Sequence, residues 1–232
     1  RDLHKEYRRQ RQMCIRDSSE TVPKKFAEKL REKGAEVVIE GEDYEASMKA
    51  ASKRAAQESW NLLSDSTWEG YSAGYDVMEG YLMMPQEAFE EIPTSPTHIF
   101  LQAGVGGLAA AVTASARSNW GSDPRIVIVE PSEAPAIMES IKARKPVYAD
   151  GKVSVMGRLD CKTPSMLAFD ILSEAANEFC LITEEQAQNA ARLSNEMGLA
   201  TSPSGAAGLA ALLANPDKDA SSLVFFTEGS VN

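Results

Sequence analysis

Histidine and cysteine are scarce in this sequence, with two of the first and three of the second in 232 residues. His4 and His98 alone cannot build a histidine-rich metal centre, and they leave little room for a Ser–His–Asp triad. Cys14, Cys161 and Cys180 are odd in number and lack metal-ligand spacing, so neither a disulfide framework nor a metal site is expected. That usage fits a reducing compartment and makes the cytoplasm the expected location. No apolar run approaches the roughly 20 residues that a membrane helix needs. Positive charge is also short: 24 Lys and Arg against 34 Asp and Glu give a formal net charge of −10. Nucleic acid and anionic membrane are thereby disfavoured as partners. Internal repeats and low-complexity tracts are missing too.

What is present is 43% hydrophobic residues, enough for one large domain or for part of a two-domain enzyme. The start at Arg1 and the stop at Asn232, just after an apolar strand, read as the ends of a fragment. Residues 1–18, RDLHKEYRRQRQMCIRDS, are basic and poorly matched to the rest of the chain. They read as a surface helix, a disordered arm or sequence foreign to the protein, and carry no weight in the fold assignment. From Ser19 the pattern becomes regular. Val22, Phe26 and Leu30 recur at helical spacing before Gly34, and Val37-Val38-Ile39 is a short strand. Residues 44–59 form a second helix with a small-residue face, and Trp60-Asn61-Leu62-Leu63-Ser64-Asp65 reads as a strand entering a polar turn. Such β-α-β order implies a parallel sheet. An aromatic and Met-rich helix is expected around 75–84.

A second strand-helix unit comes next at Thr97-His98-Ile99-Phe100-Leu101-Gln102, then Ala103-Gly104-Val105-Gly106-Gly107-Leu108, then an Ala-rich helix to about Arg117. A strand, a glycine turn and a helix start make an anion site. The first-turn N–H groups point outward, and the helix dipole adds partial positive charge. Gly104, Gly106 and Gly107 are therefore read as a phosphate cradle, although a ligand-free tight turn has the same sequence. Arg125-Ile126-Val127-Ile128-Val129-Glu130-Pro131 is a further strand, apolar throughout as a doubly covered parallel strand should be. Helices are expected over 133–144, 164–178, 183–197 and 204–214, with an irregular excursion at 145–159 and a last strand at 222–226. Thr183 and Gln186 have the spacing of a capping box. The expected class is α/β, an open and mostly parallel sheet flanked by helices.

In such sheets ligands bind beyond the carboxyl ends of the strands. Asp65, the glycine loop, Glu130 and Thr227 each come after a strand and so converge on one edge. Asp65 also has a plain reading as a helix cap or Asx-turn residue. One rival stands on the same residues: Gly104-x-Gly106-x-x-Ala109 satisfies the dinucleotide pattern, with Glu130 placed as a ribose-binding acid. That would make the protein a nicotinamide-dependent oxidoreductase. Against it, the loop does not open the domain, and the adjacent Gly106-Gly107 pair suits a compact monophosphate cup.

Ser64-Asp65-Ser66-Thr67-Trp68-Glu69-Gly70-Tyr71, Leu101-Gln102-Ala103-Gly104-Val105-Gly106-Gly107 and Ile128-Val129-Glu130-Pro131 resemble the diaminopropionate ammonia-lyases. Met156-Gly157-Arg158-Leu159-Asp160-Cys161-Lys162-Thr163-Pro164 and Ser204-Gly205-Ala206-Ala207-Gly208-Leu209 sit in that family's order as well. The resemblance spans about 19–229, and the Asp-x-x-Trp-Glu-Gly-Tyr block is its most specific part. It implies a pyridoxal 5'-phosphate enzyme of the tryptophan-synthase-β-like fold (fold type II), missing its N-terminal portion. It implies 19–96 as the end of a small domain with connecting segments, and 97–232 as the large phosphate-binding domain. The implied reaction is β-elimination of ammonia from 2,3-diaminopropionate, leaving pyruvate. Asp65 matches the base toward the L-isomer's α-proton; Gly104, Val105, Gly106, Gly107 and Leu108 match the cofactor-phosphate loop. Thr227 falls where this fold places a hydroxyl partner for the pyridine nitrogen. A small amino-acid substrate and a homodimer are implied too. The family's Schiff-base lysine and Asp-Gly-Asn-His block belong upstream of the matched sequence, and Lys162, the nearest candidate, belongs to a different segment. Within the fold the alternative is a serine/threonine dehydratase; a non-catalytic remnant is the third class.

Overall fold

A computed structural model describes residues 15–22 and 24–229. Residues 1–14 of the basic arm lie outside the described residues. The chain divides into two compact units, Arg1–Leu62 and Leu63–Asn232.

The first unit contains β1 (Ile15–Ser18), α1 (Lys24–Glu32), β2 (Glu36–Ile39) and α2 (Tyr44–Glu58). β1 pairs in parallel with β2, Ile15 opposite Glu36. The last four residues of the basic arm are therefore a strand, paired through backbone groups that any sequence carries. Lys29 and Arg31 in the last turn of α1 complement its dipole, and Gly34 comes next with φ +87, a conformation that glycine takes without strain. α2 is capped by the Asp43 carboxylate, which accepts from Ala46 N at 2.8 Å, and it buries Ala51 and Ala55.

The second unit contains α3 (Gly74–Gly80), α4 (Met83–Glu91), β3 (His98–Gln102), α5 (Gly107–Trp120), β4 (Arg125–Pro131), α6 (Ala136–Ala143), α7 (Met166–Ala175), β5 (Glu178–Ile182), α8 (Glu184–Glu196), α9 (Ala207–Ala214) and β6 (Ser222–Val224). Its sheet runs β5-β4-β3-β6 with every pairing parallel. Alternation along the central strands divides the core. Ile99, Leu101, Ile126 and Ile128 face α4, α5 and α7, while Phe100, Val127 and Val129 face α8 and α9. Ile99, Ile126 and Ile128 are fully buried, as strands covered on both faces require. α9 lies close on the sheet because Gly208 has no Cβ, which would stand 3.1 Å from Phe100 O.

Three expectations are corrected. Residues 60–65 form no strand: Trp60 is 44% and Leu63 68% exposed, whereas a parallel strand needs both faces covered. The helix expected over 164–178 stops at Ala175, and Glu178–Ile182 is a strand on β4. The break falls at Ala176-Asn177, where the Asn177 side chain accepts from Ile126 N at 2.7 Å and ties the new strand to its neighbour. The single helix around 75–84 is two, α3 and α4, with Pro85 in the first turn of α4, where its missing N–H costs nothing. The excursion at 145–159 is irregular as expected, but pinned. Ser154 Oγ and Val155 N donate to the Glu184 carboxylate at 2.7 and 2.6 Å.

Candidate active site

β3 ends at Gln102, and the chain turns through Ala103-Gly104-Val105-Gly106 into α5. Gly106 has φ +95 and ψ −1, the left-handed conformation that a β-branched residue avoids. Its carbonyl accepts from Ala110 N at 2.8 Å, so α5 starts at once and its first-turn N–H groups have no partner within the helix. The glycines are tight on their far side. A Cβ on Gly104 would stand 2.9 Å from Arg158 O, one on Gly106 2.8 Å from Ile137 Cδ1, and one on Gly107 3.2 Å from Met78 Cγ. A side chain at Gly106 would point into the core, toward Ile137 and Ala168. These glycines let the loop sit on α3, α6 and α7 with its N–H side facing outward.

That side opens on a cavity of about 330 Å³, lined by Gly104, Val105, Gly106, Gly107 and Leu108. Asp65, Tyr81, Gln102, Arg158, Thr227 and Glu228 line it as well. Asp65, the glycine loop 104–108 and Thr227, assigned from the family resemblance, thus border one space. Asp65 is set between two anchors. On one side Ser64 N donates to Tyr71 Oη at 2.9 Å, with Tyr71 stacked on Trp68 at 4.1 Å between ring centroids. On the other, Thr67 N donates to the buried Ser165 Oγ at 2.9 Å, and Ser165 N donates to Val105 O at 2.9 Å. The specific Asp-x-x-Trp-Glu-Gly-Tyr block is therefore a folded clamp around Asp65. Burial, and after it the Asp65 charge, pushes the Tyr81 phenol above its ordinary pKa.

At the opposite rim, Arg158 Nε donates to Glu228 Oε2 at 3.1 Å, and Ser202 Oγ donates to Glu228 Oε1. Thr227 accepts from Gln102 Nε2 at 3.1 Å. Gln102, Tyr81 and Arg158 were not singled out from sequence. A lone polar residue closing an apolar strand was the available signal for Gln102.

Two candidates, Glu130 and Lys162, lie away from the cavity. Glu130 is fully buried and accepts from Ile137 N at 2.6 Å and Met138 N at 2.8 Å, capping α6 rather than bordering the cavity. Burial, opposed by those two hydrogen bonds, pushes its carboxyl up to about 7. The ribose-binding role that the dinucleotide reading needed is therefore not available to it. Lys162 is 5% exposed, and its ammonium donates to Glu133 O, Lys152 O and Asp160 Oδ1 at 2.7, 2.9 and 2.7 Å. It ties the excursion together and does not border the cavity. Among the described residues no group of three His, Cys, Asp or Glu could hold a metal ion.

The donor set fits a phosphorylated heteroaromatic cofactor. Backbone N–H groups and a helix dipole would meet a phosphate, the Thr227 hydroxyl lines the same cavity, and the volume suits a small ring. The architecture and site together define an α/β enzyme domain of fold type II. The pattern of the pyridoxal-phosphate dependent enzymes matches residues 16–228, and the chain belongs to that family. It is 30% identical over 224 residues to the diaminopropionate ammonia-lyase of Escherichia coli K12, covering 86% of this chain and 56% of that protein. To the L-threonine ammonia-lyase of Geobacter sulfurreducens it is 29% identical over 195 residues, 84% of this chain and 46% of that one. A crystal structure of the Escherichia coli diaminopropionate ammonia lyase, in complex with an aminoacrylate-PLP azomethine reaction intermediate, matches with TM-score 0.81 and 28% identity. That match covers 91% of this chain and 60% of the other. The chain thus spans about half the length of these lyases.

Proposed function

We propose that the protein carrying this chain is a pyridoxal-phosphate-dependent ammonia-lyase that converts 2,3-diaminopropionate to pyruvate and ammonia. The observation that carries the reading is the opening of Asp65 and the glycine loop on one cavity, joined behind by Ser165. When bound, the cofactor supplies an electron sink for the charge left at the substrate's α-carbon. The residues supply position. Backbone N–H groups of 104–108 hold the phosphate, and the α5 dipole favours its negative charge. Thr227 would offer its hydroxyl to the ring. The Asp65 carboxylate accepts the α-proton of the L-isomer, and the Trp68–Tyr71 clamp keeps it from relaxing into a turn of its own.

The lining holds no lysine among the described residues, so what these residues offer the cofactor is non-covalent. A homodimer is inferred from the family resemblance alone. A cytoplasmic location is supported by Cys161 and Cys180, which form no disulfide, while no described helix is long and apolar enough to cross a membrane. The test is product formation by the purified protein from L-2,3-diaminopropionate, L-serine and L-threonine side by side. Faster pyruvate release from diaminopropionate supports the reading. Preferred turnover of threonine to its 2-oxo acid would replace it with the dehydratase alternative, in line with the threonine ammonia-lyase relatives.

A further inference from the structure

α3 is a short helix set between the two loops that line the cavity. At its start Gly74 lies against the Asp65 loop, where a Cβ would run into Ser66 O and stand 3.2 Å from Ser64 O. At its end the buried Met78 lies against the glycine loop. Its Cγ is 3.2 Å from where a Cβ on Gly107 would stand, and Asp65 O is 3.5 Å from that same point. Tyr81 closes the helix, its N–H donating to Met78 O at 3.1 Å. Both contacts that fix α3 therefore also fix Tyr81, which lines the cavity together with Asp65 and Gly107.

The Tyr81 phenol is half-buried, and its hydroxyl makes no hydrogen bond to any of the described residues. Burial, and after it the Asp65 charge, pushes it above its ordinary pKa, so it keeps its proton at neutral pH. The carboxylate whose charge it feels is not its hydrogen-bond partner. A phenol that stays protonated is a donor, and a donor that the fold leaves unmatched at a cavity wall is matched by a ligand. Gly107 opens α5, so the anion expected in this cavity is a phosphate at the α5 start, on which Met78 has already set the end of α3. We propose that Tyr81 is a phosphate-binding residue, its hydroxyl donating to an oxygen of the phosphate held at the start of α5. This rests on the cofactor reading of the cavity and deepens it. It adds one side-chain donor to a cradle of backbone N–H groups, on the side where the Asp65 carboxylate would otherwise repel the phosphate.

The test uses the protein carrying this chain, freed of any bound cofactor, and pyridoxine 5'-phosphate, which has no aldehyde and so reports ring and phosphate contacts alone. Tyr81→Phe removes the hydroxyl and keeps the aromatic ring with its packing. Calorimetric titration should show its affinity for the ester reduced about fivefold to fiftyfold, the range of one hydrogen bond to a charged group. Phosphorus NMR at a pH where the phosphate is dianionic gives the second readout. The resonance of the bound ester should differ between the unsubstituted protein and Tyr81→Phe, because the ring current stays and only the donor is lost. Tyr75→Phe, on the same helix but 55% exposed and outside the cavity lining, should change neither quantity. Unchanged affinity in Tyr81→Phe, or a loss of affinity with the phosphorus resonance unmoved, overturns the inference while leaving the cofactor site standing. No binding by the unsubstituted protein overturns the cofactor reading, and the inference with it.

Discussion

Ser165 and Thr67 meet through their hydroxyls at 2.8 Å although 98 positions separate them in sequence. The contact is one of several: Met166 N and Leu167 N donate to Thr67 O and Oγ1, both at 2.9 Å, so the Asp65 loop caps the start of α7. Since Ser165 N also holds Val105 O, one buried serine sets the spacing between Asp65 and the glycine loop. Ser165→Ala leaves the buried Thr67 N–H without an acceptor, which costs about 1–3 kcal/mol. Thr67→Val removes part of the same network. A double-mutant cycle read by chemical denaturation should therefore return a coupling of about 0.5–3 kcal/mol. Additive losses would show that the two loops are held by packing alone.

Gly106 carries the second prediction. Gly106→Val meets a left-handed backbone, costing about 1–2 kcal/mol, and drives its side chain against Ile137 and Ala168, costing about 1–3 kcal/mol more. The variant should unfold at clearly lower denaturant before any ligand is added. Gly106→Ala should be milder, and Ile137→Val should recover part of its loss, because the nearest obstruction is the Ile137 Cδ1 methyl at 2.8 Å. A fully stable Gly106→Val with weakened cofactor binding would show that a side chain at this position meets the cofactor and not the core.

Glu130 gives a pH dependence with a definite sign. Its carboxyl is pushed up to about 7 in the folded chain, from an ordinary value of 4.5, chiefly by burial. Between those values the folded state keeps a proton that the unfolded state has lost. Stability is therefore full below about 4.5 and declines as pH rises through 7, by an amount on the order of 3 kcal/mol. Glu130→Gln cannot titrate, and its denaturation midpoint should be flatter between pH 5 and 7.5 than that of the unsubstituted chain. Parallel profiles would mean that the two helix N–H donors hold the carboxylate ionised throughout.

Local patterns in the sequence were legible because local physics writes them. The apolar runs at β3 and β4, the glycine loop and the Thr183–Gln186 capping box, closed at 2.8 and 3.2 Å, each depend on neighbours within a few positions. β5 was hidden because only Ala176 and Asn177 part it from α7, and its edge position leaves the apolar pattern incomplete. Residues 60–65 looked like a strand because Trp and Leu favour strands, yet among the described residues no strand pairs with them. The deeper parts of the site could not be read at all. Ser165 lies 98 positions from Thr67, and Gln102 lies 123 and 125 from Phe225 and Thr227. No periodicity encodes such pairs; only the fold brings them together.

Asp65 supplies the last prediction, with two independent readouts. As the base, its carboxylate must take a proton from the substrate, and Asp65→Asn keeps the shape of the loop while removing that capacity. Turnover of L-2,3-diaminopropionate by the protein carrying this chain should fall about 10²–10⁴-fold. A carboxylate fixed on one face reaches the α-proton of one configuration only, so turnover of the D-isomer should fall far less. Tyr81 reports the same charge without any substrate, because the Asp65 carboxylate contributes, after burial, to its raised pKa. Asp65→Asn should therefore bring the Tyr81 phenol part of the way back toward its ordinary value, measured as tyrosinate absorbance against a Tyr81→Phe reference. A turn-capping role for Asp65 instead predicts a stability loss of about 1 kcal/mol, with both isomers affected alike. Equal losses for the two isomers would take Asp65 out of the chemistry, and an unmoved Tyr81 would show that the carboxylate does not face the cavity.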